Sequence, residues 1–229
     1  MGVLAVRIFS VKGIPVRRGS GNVISEDRNV SGFSKVSISG SGNLYIEQGD
    51  EEGITIEAED NILPLIKTEV YGDTLIIGFK LMTYGIPSKS MEFHLRVKDL
   101  ESISASGSGS VNCLGLSTDS LTIKTSGSRK VNISNLKITS IYVNSSGSGN
   151  ITLAGSTDSQ DIKTSGSKKY FAEELKSRSC MIDASGSGDM AVNVSDDLNI
   201  SASGSIKVTY IGSPTLTQKI SGSVTINSK

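Results

Sequence analysis

Tryptophan is absent from this 229-residue sequence, histidine occurs once, and there are only four prolines and two cysteines. Scarce aromatics and prolines point away from an ordinary globular enzyme and towards many short strands joined by tight turns. An excess of either charge is also missing, because 23 basic residues balance 23 acidic ones. Binding to nucleic acid as a main role requires a basic surplus, so no nucleic-acid partner is expected. The two cysteines, Cys113 and Cys180, have neither metal-ligand spacing nor the density of a disulfide framework. No apolar run approaches the roughly 18 residues of a membrane span, so the chain is not expected to cross a membrane. The apolar stretch at the N-terminus is broken by Arg7 and Lys12. Residues 1–19 therefore read either as an imperfect leader or as a first strand.

What the sequence does contain is glycine, 25 residues of it, with abundant serine and a repeat. Ser-Gly-Ser recurs with its glycine at Gly40, Gly107, Gly127, Gly147, Gly166, Gly186, Gly204 and Gly222. From Gly107 onward the intervals are 20, 20, 19, 20, 18 and 18. An earlier Gly-Ser-Gly-Asn begins at Gly19. A fixed period of this size marks a solenoid.

Alignment on the glycine sorts the side chains. Four residues before it stand Ile103, Ile123, Val143, Ile162, Ile182 and Ile200. Four residues after it stand Val111, Val131, Ile151, Tyr170, Met190 and Val208. The apolar period is two on both sides, which is strand, turn, strand. Glycine suits an apex of positive φ, and serine hydroxyls can satisfy the backbone of a turn. The expected fold is all-β: a single-stranded β-helix or solenoid, with two-sheeted coils of about 20 residues turning on the Ser-Gly-Ser motifs and pairing in parallel about 4.8 Å apart.

Ser-Gly-Ser-Gly turns alternate with turns lacking the second glycine, so a coil of about 40 residues is the competing register. It would stack Lys130, Lys169 and Lys207 directly, and like charges in register destabilise a sheet. The shorter coil is favoured. In that register both cysteines point inward about four coils apart, roughly 19 Å at the strand spacing and beyond disulfide reach.

Residues 50–100 lack the motif but keep strand patterns. Phe93, Leu95 and Val97 alternate, Leu75–Phe79 is apolar, Asn61–Ile66 suggests a helical turn, and Tyr71–Asp73 suggests a hairpin. The expected organisation is an N-terminal segment (1–19), an irregular β head (20–100) and a regular solenoid (101–229), with no linker between the last two.

Three segments carry a family resemblance: Arg28–Asp50 (RNVSGFSKVSISGSGNLYIEQGD), Ala58–Ile77 (AEDNILPLIKTEVYGDTLII) and Val97–Gly109 (VKDLESISASGSG). In order and spacing they resemble the autotransporter-adhesin head domain family, the head GIN domain. The resemblance implies a β-superhelix with Gly-Ser-Gly turns, a cell-envelope or secreted setting, and an adhesive role. It supplies no catalytic residues.

Nothing in the residues adds a reaction. His94 sits between Phe93 and Leu95 on the polar side of a strand, where an ordinary surface histidine is expected. The serines beside each glycine repeat, whereas a nucleophile is singular and needs a base beside it. Lys124, Lys163 and Asp183 share one face and could serve a polysaccharide lyase, but a solvated face with cross-strand pairing is the favoured reading. The acidic stretch Glu47–Glu59 is interrupted by a strand pattern. No catalytic, cofactor-binding or metal-ligating residues are therefore expected, and no cofactor. The expected function is a non-enzymatic adhesion or binding scaffold of the cell envelope, or a secreted one, presenting polar ladders to a glycan or a surface protein. The alternatives are a carbohydrate-active β-helix enzyme, of polysaccharide-lyase type, and a self-assembling structural module. The last coil shows no obvious cap, so end-to-end association of identical chains is expected.

Overall fold

The computed structural model describes residues 16–80, 84–87 and 89–229, so most of the segment expected to be a leader or a first strand lies outside it. The chain forms β1 (Val16–Arg18), β2 (Val23–Arg28), β3 (Lys35–Ile38), β4 (Asn43–Gln48) and β5 (Gly53–Glu59). A 3-10 turn (Leu63–Leu65) leads into β6 (Ile66–Tyr71), β7 (Thr74–Phe79), β8 (Tyr84–Ile86) and β9 (Glu92–Val97). Then come β10 (Ser102–Cys113), β11 (Leu116–Ser156), β12 (Ser159–Ile211) and β13 (Thr215–Ser228). The long runs β11 and β12 wind through several coils of a β-solenoid.

The coil is the shorter one. Gly107 pairs in parallel with Gly127, Gly147 with Gly166, and Gly204 with Gly222. The ladder passes through the apex without a break, with Ser106 against Ser126 and Ser108 against Ser128. Backbone groups that the hydroxyls were expected to satisfy are thus taken up between coils. Glycine is required here twice over. At Gly127 φ is 81°, and a Cβ would lie 2.5 Å from the carbonyl oxygen of Gly107.

The second glycine belongs to a row of its own. Two residues after the apex, Gly42, Gly109, Arg129, Gly149, Lys168 and Gly188 form a row. Arg129 is only 1% exposed. Its guanidinium donates to the carbonyls of Gly42 (2.8 Å), Gly40 (2.8 Å) and Ser106 (2.8 Å). A Cβ on Gly109 would lie 2.0 Å from the carbonyl oxygen of Gly42 and 3.1 Å from Arg129 Nη1, so glycine is required there by the neighbouring backbone first and by the cation second. Lys168 is also buried, at 5% exposed, and its Nζ has no hydrogen-bond partner among the described residues.

Inside the coils runs one continuous apolar core, from Val30 to Val208. The inward rows follow the alignment, with Ile103, Ile123, Val143 and Ile162 all buried. Leu116, Leu136, Leu175 and Val194 are also buried. Some inward places are polar, among them Thr125 and Ser145, whose hydroxyls bond to each other, and Gln160. Gln160 is buried where other coils have Leu121 or Ile141, accepts from the Tyr170 hydroxyl (2.8 Å) and donates to Ser177 Oγ (2.9 Å). Both cysteines are buried free thiols. Burial pushes each thiol pKa up.

The first coils do not stack in chain order. β3 and β4 form a coil whose one side is covered by β10, through Ile103 on Val36 and Val111 on Leu44. Its other side is covered by β7 and β9, through Val36 on Leu75 and Leu44 on Phe93. The chain lays down this coil, steps back to build the one before it, and then returns. Antiparallel strands cap that end: β6 lies on β7, β5 on β9, and β2 on β5. Such a cap removes a bare parallel edge. The expected turns are present, with Gly72 at the β6–β7 hairpin (φ 62°) and the 3-10 turn after Ile62. The early Gly-Ser-Gly-Asn belongs to this cap, where Ser20 and Asn22 bond to Asp60, and it is not a rung of the glycine ladder.

Candidate functional site

Parallel pairing turns outward side chains into rows along the solenoid axis. In one such row Thr55 pairs with His94, His94 with Tyr45, Tyr45 with Asn112, and Asn112 with Asn132. The rings of Tyr45 and His94 stack, with centroids 5.0 Å apart and planes 11° from parallel. Beyond them the amides bond in series: Asn132 donates to Asn112 Oδ1 (3.0 Å), and Asn112 donates to Ser110 Oγ (2.9 Å).

A loop makes this row the floor of a groove. Gln48 accepts from the Ser117 amide (2.8 Å) and donates to its carbonyl (2.9 Å), which pins the start of β11. Leu114, just before it, stands 83% exposed. The groove between Leu114 and the aromatic pair measures about 640 Å³ and is also lined by Glu47 and Arg96. Its surface is mainly apolar with a few charged groups, the usual make-up of a small-molecule site.

His94 is not an isolated surface histidine. Its Nε2 lies 3.9 Å from Glu57 Oε1 and 3.8 Å from Glu92 Oε2. Glu92 is two residues away on the same strand face, while Glu57 comes from the acidic stretch through the antiparallel β5–β9 pairing. The i, i+2 spacing of Glu92 and His94 is visible in the sequence. The arrival of Glu57 depends on a pairing that no local pattern announces.

The other candidates separate. Lys124, Lys163 and Asp183 are exposed on the strands before the apex and do not line the groove. Lys163 Nζ lies 5.6 Å from the centroid of the Tyr142 ring. The shallow depression beside Lys124 is lined by Ser104, Thr125 and Asn144, with no carboxylate among its described residues.

Residues 32–214 match the family model described as "putative auto-transporter adhesin, head GIN domain". The chain belongs to this family. An adhesin-like structure from Bacteroides fragilis, described as a "putative adhesin", is 27% identical, with a TM-score of 0.85 over 93% of this chain and 99% of that one. A "putative adhesin" from Parabacteroides merdae is 21% identical, with a TM-score of 0.72 over 93% of this chain and 99% of that one. A "putative lipid binding protein" from Parabacteroides distasonis is 21% identical, with a TM-score of 0.77 over 94% of this chain and all of that one. The last two establish the shared fold. No match to a curated protein sequence was found. The family and its relatives support an adhesion or binding role for this head GIN domain. None of its described helices is long and apolar enough to cross a membrane, which leaves strands unaddressed.

Proposed function

We propose that this head GIN domain is a non-enzymatic adhesion module of the cell envelope, or a secreted one, and that it binds a glycan in the groove beside Tyr45. The observation that carries the reading is the exposed aromatic pair on the groove floor. A flat ring with an apolar wall at Leu114 suits the C–H face of a sugar, while Glu47, Arg96 and the asparagine row offer partners for hydroxyls. Glycan-array binding followed by calorimetry with Tyr45→Ala tests it. A glycan ligand whose affinity falls at least tenfold in the variant is the expected result. Binding that ignores Tyr45, or turnover of a polyuronate by the purified protein, would overturn it.

A second reading, self-association, rests on a different observation. β13 is paired on one side only among the described residues, and it leaves Leu216 36% and Ile220 42% exposed. An apolar row with an open backbone edge suits a second copy of the same chain.

A further inference from the structure

We propose that Glu57, Glu92 and His94 form a binding site for a divalent transition-metal ion of the zinc class. The three side chains share the outward face of β5 and β9, and each offers one ligand atom within 4.8 Å of the others. With Nε2 at 3.9 Å and 3.8 Å from the two carboxylates, a point equidistant from all three atoms lies about 2–2.5 Å from each. Zinc–nitrogen and zinc–oxygen bonds are about 2.0–2.2 Å, so small rotamer adjustments bring the three onto one ion.

Two features of the sheet favour an ion here. Glu57 and Glu92 are direct cross-strand partners. Like charges in that position destabilise the pair, and a divalent cation between them reverses the sign. The His94 ring is also held in plane by its stack on Tyr45, so Nε2 is presented to the carboxylates with less freedom to lose. Imidazole among the donors favours zinc and its neighbours over magnesium or calcium, which prefer all-oxygen shells. Three protein ligands leave a coordination position open, as in sites that keep a water or an exchangeable ligand. Because His94 also lines the groove, the ion would stand at its rim.

The test is competition for ZnCl2 between the full chain and a chromophoric chelator, with no glycan present. One zinc per chain is expected, with affinity at least tenfold weaker in His94→Gln and again in Glu57→Gln, both keeping a native strand spectrum by circular dichroism. Magnesium should not compete. No uptake at micromolar zinc, uptake undiminished in both variants, or equal uptake of magnesium would overturn the proposal. Since zinc is measured alone, this outcome is independent of whether the groove binds a glycan.

Discussion

At the scale of the residue, the apex glycines and the buried cations respond to different forces. Gly127 and Gly72 both have positive φ, but only Gly127 has a neighbouring carbonyl where its Cβ would go. Gly72→Ala should therefore cost about 1 kcal/mol, from backbone strain alone. Gly127→Ala should cost more than about 2 kcal/mol, because the coils must also separate. Thermal melts of the two variants check the difference, and equal shifts would contradict it. Lys168 shows the opposite case, a charge that the fold tolerates. Desolvation pushes its pKa below that of a free lysine. Between the folded and unfolded values unfolding takes up a proton, so stability should rise as pH climbs towards the ordinary lysine value of about 10.5. Lys168→Met should melt higher at pH 7 and lack that Lys168-dependent rise. Parallel pH curves for variant and parent would refute the assignment.

At the scale of the element, alternation was enough to orient nearly every side chain of the regular coils. Ile123, Val131 and Val143 are buried where their distance from the glycine places them. Arg129 was less legible, because its position falls in a turn and its partners Gly40 and Gly42 are 89 and 87 residues distant. Gln160 was obscured for a similar reason. A polar residue in an apolar row makes sense only once Tyr170 and Ser177 are seen to satisfy it. The candidate site shows the same division. Tyr45, Glu92 and His94 each read as outward strand residues, while their stacking and the approach of Glu57 come from β4, β5 and β9 meeting in one sheet.

At the scale of the whole molecule, the two ends of the solenoid differ. One is covered by the antiparallel strands β2, β5 and β6, while β13 at the other pairs only with β12 among the described residues. If copies associate through the other edge of β13, sedimentation should show a concentration-dependent dimer that Leu216→Lys with Ile220→Lys returns to monomer. A monomer at all concentrations, or a dimer indifferent to both changes, would exclude the edge as the contact.

The sequence by itself determined the coil: its length, its apex, its inward rows and its family, because each coil repeats the same local demands of φ, alternation and side-chain size. Only the tertiary structure decided the order in which the first coils stack, the groove beside Leu114, and the meeting of Glu57 with Glu92 and His94. Those features lie between strands distant in sequence. Their energy comes from pairing and burial across the stack, which no single repeat encodes.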